Sequence, residues 1–158
     1  MAEIIDSIDK LNAFIHSDRN IRTALISTLA IHKPRIFVQG LDGSGSKIGT
    51  YGTNKISISR KNQARNTGKT YFKGGYAEYK RAIGKNPGYV ILRNTDQMYM
   101  DYGLVGSSGQ YGFGFKNSKN YDKSQWMEDK YKKDIFDLSD SELNVLTNVL
   151  VDQLDKVL

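Results

Sequence analysis

At 158 residues, 39% of them apolar and 25% charged, the chain can bury one hydrophobic core but not two, folding away roughly 70% of its unfolded surface. The absence of cysteine excludes a disulfide framework, a thiolate nucleophile and a zinc ribbon. The net charge of +6 is unevenly spread: residues 33–93 hold 13 Lys/Arg against Asp42 and Glu78, or +11, which leaves −5 for the two ends together. Such segregation marks a surface that meets either an acidic protein partner or nucleic acid.

Glu3, Asp6 and Asp9 stand where a secretion signal needs a basic start and an apolar run, and no stretch approaches the ~20 apolar residues of a membrane span. The protein is therefore expected in the cytosol, or in a particle assembled there, with no membrane contact. Ile5, Ile8, Leu11 and Ile15 recur at helical spacing, and Ser17 or Asp18 can cap a second helix in which Ile21, Leu25 and Leu29 continue the period. Pro34 biases Lys33 away from helix, so residues 35–39 read as a short strand.

Residues 40–52 contain Gly40, Gly43, Gly45, Gly49 and Gly52 with Ser44 and Ser46. That composition predicts a long solvated loop or arm carrying little of the core. The Gly-Ser-Gly-Ser-Lys run at 43–47 lacks the order of a Walker phosphate loop. Ile56 and Ile58 alternate with polar residues, as in a half-buried strand. A polar, basic loop follows at 61–69. Phe72, Tyr76, Tyr79 and Ile83 step by four, three and four, so the spacing predicts a helix with an aromatic face, ended by Gly84. With Lys73, Lys80 and Arg81 beside it, that face could stack on single-stranded bases, although core or subunit interface is the commoner use.

Residues 89–92 read as a strand and 97–101 as a short helix or strand. Residues 103–105 and 111–115 read as two strands joined by Gly106 to Gly109. Residues 124–133 favour helix, and Ser139 with Glu142 forms a capping box before a last helix striped by Leu143, Leu146, Leu150, Leu154 and Val157. The expected fold is α+β: one domain over 1–158, with helices at 1–33, a basic loop at 40–70, an α+β core with an antiparallel sheet at 71–136, and a C-terminal helix at 139–157.

Catalytic groups are sparse. His16 and His32 lie sixteen positions apart with no metal-binding pattern around them and read as ordinary helix-end residues. No Gly-x-Ser-x-Gly elbow is present. Asp96 and Asp101, near Tyr99 and Tyr102, are the one carboxylate pair that could serve acid–base or metal-dependent nuclease chemistry. Neither a cofactor nor enzymatic activity is expected.

Three runs look familiar together: Leu92-Arg-Asn-Thr-Asp-Gln-Met98-Tyr-Met-Asp101, Tyr111-Gly-Phe-Gly-Phe115, and Lys133-Asp-Ile-Phe136-Asp-Leu-Ser139-Asp-Ser-Glu142. They resemble the tailed-phage virion-morphogenesis family of the Mu G type, which overlaps with the tail-completion and head-to-tail connector proteins of siphophages. In that family a Leu-x-x-Thr/Ser-Gly-x-Leu segment precedes a Gly-containing strand pair, and a basic-aromatic-x-x-Leu-Ser segment leads into the last helix. The likeness spans about residues 48–150, and Asp96 stands where the family usually has Gly. It implies an α+β subunit of a non-enzymatic ring, with six or twelve copies, in the virion neck or tail region and assembled in the host cytoplasm. Such a subunit would pack against neighbouring neck, portal-adaptor or tail proteins and could face DNA in a channel.

On this reading the expected subunit or partner contacts are Gly43, Gly45, Lys47 and Tyr51 in the loop, Phe72 and Tyr76 on the aromatic face, and Leu146, Leu150 and Leu154 on the last helix. Arg60, Lys61, Arg65 and Lys69 are the expected DNA-facing cations. The alternative is a nucleic-acid-binding protein using the basic segment 33–93.

Overall fold

Ser17 separates the first two helices by capping the second. In the structure, a computed structural model that describes residues 2–59, 69–107 and 109–158, its Oγ accepts the Asn20 N–H. That ends α1 (Ala2–Ile15) and starts α2 (Asp18–Pro34). Helix α2 buries Ala24, Leu25, Thr28 and His32, spaced at helical intervals along one face.

Pro34 does not send the chain into a strand. Helix α2 runs through it, and residues Arg35–Gln39 form a π-helical turn. Proline lacks an N–H to donate, and its position coincides with the switch to the wider bonding in which the Gly40 N–H donates to the Arg35 carbonyl. Gly40 closes the turn at φ 65; a Cβ there would lie 2.3 Å from the Val90 carbonyl, so only glycine fits. The turn aims Ile36 and Phe37 into the centre of the molecule, where both are fully buried.

The strands form two separate antiparallel pairs. In β1 (Ile56–Ser59) and β2 (Lys69–Phe72), Ile56 stands opposite Phe72. In β3 (Tyr102–Ser107) and β4 (Gln110–Phe115), the register runs from Tyr102 opposite Phe115 to Ser107 opposite Gln110. Between the pairs come α3 (Gly75–Ala82) and α4 (Gln97–Asp101), and after them α5 (Ser118–Tyr131) and α6 (Asp140–Leu154). The fold is α+β with antiparallel pairing, as expected. Residues 89–92 are not a strand, although Val90 and Leu92 are buried. Phe72 belongs to β2 and not to a helix: α3 begins only at Gly75, whose φ of 72 and close approach to the Gly52 carbonyl prevent an earlier helical start.

The buried core joins Ile36, Phe37, Ile48, Val90, Leu92, Tyr102 and Ile135. Four of these, Ile48, Val90, Leu92 and Ile135, come from segments without helix or strand. The Gly-rich loop is irregular, as expected, but it is folded onto the core. Asp42 Oδ1 accepts from the Ser44 and Ser46 N–H groups at 3.0 and 2.9 Å, and Lys133 Nζ donates to Oδ2 at 2.6 Å. The Gly43 N–H reaches the Asp134 carbonyl, and Gly49 accepts from Val90. These ties leave Ile48 only 2% exposed.

His32 is no ordinary helix-end residue: it is fully buried. Its Nδ1 lies 2.9 Å from Glu142 Oε2 and its Nε2 2.7 Å from the Tyr102 hydroxyl. Arg35 Nε donates to Glu142 Oε1 at 2.7 Å, and its other nitrogens reach the carbonyls of Leu41 and Asp137. The Ser139 N–H donates to Glu142 Oε2 at 2.8 Å, completing the capping box of α6. Because a carboxylate only accepts, His32 donates to it from Nδ1, and while the ring is neutral its Nε2 accepts from the Tyr102 hydroxyl. Burial works to raise the Glu142 carboxyl, but hydrogen bonds from Arg35, His32 and Ser139 overcome it and hold the group below its ordinary value. Burial lowers His32 against the pull of Glu142, so the imidazole stays neutral.

Two predictions follow from this packing. Ile48→Ala is expected to cost about 2–5 kcal/mol, as for any buried Ile, seen as a lower urea midpoint; an unchanged midpoint would return the loop to solvent. As pH falls below the ordinary 6.5 of histidine, the unfolded chain takes up a proton that folded His32 refuses, so stability declines. Below the ordinary 4.5 of Glu142, protonation of that carboxylate removes a second contribution. The thermal midpoint should therefore fall in two stages on acidification. His32→Gln should flatten the first stage and spare the second.

Candidate functional site

Two surfaces stand out for what they leave uncovered. The first is α1. Ile5, Ile8, Leu11 and Ile15 lie on one face of this helix, as their spacing requires, and are 57%, 52%, 39% and 55% exposed. Among the described residues no other element packs extensively along α1. Asp6 pairs with Lys10 at 2.9 Å on its polar side. An apolar stripe of this size, left in water by its own chain, is the signature of an interaction face.

The second is a groove of about 510 Å³ bounded by residues 51–52, α3, residues 90–96, α4 and α5. Its floor is Lys80, which is 1% exposed. Burial lowers the ammonium's pKa, with Lys85 adding to the effect and Asp96 opposing it. Lys80 Nζ donates to the Arg93 carbonyl at 3.1 Å and to Asn94 Oδ1 at 3.3 Å, and lies 5.4 and 5.6 Å from the ring centres of Tyr51 and Tyr76. Tyr51 is fixed by donating its hydroxyl to the Ile91 carbonyl and accepting the Ile91 N–H, at 3.2 and 3.1 Å. Burial pushes the Tyr76 hydroxyl up to about 12. Trp126, at the edge of the groove, is 57% exposed, and Lys130 Nζ sits 4.7 Å from its ring centre. Met98 and Met127 add adaptable apolar wall.

The residues expected from sequence to make contacts are dispersed. Tyr51 and Tyr76 meet in the groove, with ring centres 5.3 Å apart. Phe72 packs edge-on against Tyr79 at 5.5 Å. Gly43 is held against residues 134–137, whereas Gly45 occupies open space at the loop tip. Lys47 lies over the Tyr89 ring at 3.7 Å. Leu146, Leu150 and Leu154 are half-buried on α6, which packs along α2, so much of that stripe is used within the chain. Arg60, Lys61 and Arg65 lie outside the described residues; the backbone of Lys69 pairs with Ser59 in β2.

The carboxylate pair is not a pair. Asp96 accepts from Arg93 Nε at 2.8 Å and lies 3.8 Å from Lys85 Nζ, and the Arg93 hydrogen bond holds it below the usual carboxylate range. Asp101 Oδ2 accepts from the Asn117 N–H and Asn120 Nδ2 at 3.1 and 2.9 Å, which fixes the start of α5. Among the described residues no group of three or more His, Cys, Asp or Glu side chains could hold a metal ion, and no helix is long and apolar enough to cross a membrane.

Sequence reasoning found the aromatic stripe of α3 but missed the groove, because Trp126, Met127 and Lys130 come to it from a helix more than forty positions away. Nothing in their local spacing signals it. No protein-family model, curated protein or solved structure matches the chain.

Replacing Lys80 with methionine keeps the length of the side chain but strands the Arg93 carbonyl and Asn94. The expected loss is about 1–3 kcal/mol, measured by urea unfolding. A neutral result would show that both groups find other partners.

Proposed function

We propose that this chain is a non-enzymatic structural subunit that assembles into a ring at the neck or tail-completion joint of a tailed-phage virion. It would act by shape and charge complementarity with its own copies and with neighbouring neck, portal-adaptor or tail proteins. The observation that carries the reading is α1: an amphipathic helix with four exposed aliphatic side chains and, among the described residues, no other element packed extensively along it. Each of these side chains is about half exposed, so burying what remains is worth on the order of 1 kcal/mol apiece, which favours association over a solvated helix.

Asp96 adds support to the family resemblance. It stands where that family usually has Gly, and its backbone is left-handed, with φ 58 and ψ 4, the conformation glycine adopts most readily. The Arg93 and Lys85 contacts described above help to hold this aspartate in place. The +11 segment 33–93 favours a second reading, nucleic-acid binding, which demands affinity that falls steeply with salt.

Light scattering distinguishes the two. The expected result is a discrete multiple of the monomer, six or twelve copies, that collapses to monomer in the Ile5→Asp/Ile8→Asp variant while its circular dichroism is unchanged. A chain that is monomeric throughout and binds short DNA in a strongly salt-dependent way would overturn the assembly reading in favour of the second.

A further inference from the structure

The two uncovered surfaces are complementary in chemistry. Helix α1 is apolar on one face and acidic overall, with Glu3, Asp6 and Asp9 against Lys10. The groove has aromatic and methionine walls and carries Lys80, Lys123 and Lys130. Among the described residues, none of these three lysines forms an ion pair: Lys80 and Lys123 spend their donors on neutral oxygens, and Lys130 lies over Trp126. The groove's one carboxylate, Asp96, is already neutralised by Arg93 and Lys85.

We infer that α1 of one copy docks through Ile5, Ile8 and Leu11 into the Lys80–Trp126 groove of the next copy. This rests on the self-assembly reading above and deepens it by naming both halves of the contact. An amphipathic helix laid in an apolar groove is a recurrent recognition mode, with anchors at helical spacing. At about 510 Å³ the groove is as large as the clefts, ~300–1,000 Å³, that enclose drug-sized ligands, which leaves room for three aliphatic side chains. Asp9 borders the stripe, four positions after Ile5, and faces the groove's Lys123 and Lys130, which no carboxylate pairs among the described residues, whereas Asp6 stays with Lys10 on the far side; that charge match sets orientation and partner choice. Because the helix and the groove are different patches of the same chain, the contact is heterologous. Each copy donates one helix and receives another, and such contacts close into a ring when the rotation between copies allows.

The absence of cysteine makes the test direct. Ile8→Cys places a thiol on the stripe of α1, and Thr95→Cys places one on the exposed rim of the groove. Mixing the two single variants under mild oxidation is expected to give a cross-linked heterodimer, and the double variant a ladder of covalent multimers. The only tryptophan, Trp126, supplies a second readout: its emission should shift to the blue on assembly, and not in the Ile5→Asp/Ile8→Asp variant.

A multimer by light scattering without the heterodimer would overturn this docking and leave the assembly reading standing; a monomer that gives no cross-link would overturn both. Cross-linking only within one chain of the double variant would mean that α1 folds back on itself, and would overturn the docking. So would a Trp126 emission that responds to single-stranded DNA but not to assembly, which would mark the groove as a nucleic-acid site.

Discussion

The carboxylate of Glu142 holds together parts of the chain that have no other reason to meet. It lies 110 positions beyond His32 and 107 beyond Arg35, and its two oxygens accept from both while also closing the cap of its own helix. Burying an ionised carboxylate is costly unless its acceptor sites are filled; here a guanidinium, an imidazole and a backbone N–H fill them. A slip of α6 along α2 by one turn would leave a buried charge unpaired. The network therefore sets the register of these two helices more sharply than their leucine and isoleucine contacts could. Through Arg35 it also fixes the π-helical turn, and through His32 and Tyr102 it fixes the start of β3.

From that anchor the core follows. The turn carries Phe37 into a cluster with Tyr99, Tyr102 and Phe136, at ring separations of 5.8, 5.5 and 6.4 Å, and irregular segments close over it. Such segments need partners for their own polar groups, since a buried amide or carbonyl left unpaired is expensive. Asp42 serves the loop after the turn, Tyr51 serves residue 91, and Lys80 serves residues 93 and 94. Lys80 thus has a structural role, capping the backbone beneath the groove, as well as giving the groove its charge.

The N-terminal helix stands apart from this economy. Its apolar period is as regular as that of α6, yet among the described residues no other element packs extensively along it. A helix of about fourteen residues is marginal alone in water, so a packed partner would stabilise the helix as well as bury its stripe. The exposed stripe of α1 contrasts with a core closed over Ile36, Phe37 and Ile48, and that contrast is what favours assembly through this helix.

Local signals in the sequence were sufficient for the elements whose stabilising interactions are themselves local. The caps at Ser17 and Ser139, the α1 and α6 stripes, the alternation of Ile56 and Ile58, and the Gly-flanked hairpin of β3 and β4 all depend on residues within a few positions of one another, so spacing alone specified them. The α+β class followed from their sum. Residues 35–39 and 89–92 misled because an apolar run reads as a strand whether it ends in a sheet or in a π turn and a buried loop. The depth of Ile48 and the role of His32 were hidden for the same reason: Gly and Ser fix flexibility, not burial, and a histidine's environment is supplied by residues a hundred positions away. The groove was least legible, since Tyr51, Lys80 and Trp126 acquire a common surface only when three distant segments pack. Sequence by itself determined the helices, the hairpin and the charge asymmetry; tertiary structure decided which surfaces were consumed in folding and which were left free, because burial depends on contacts between segments far apart in the chain.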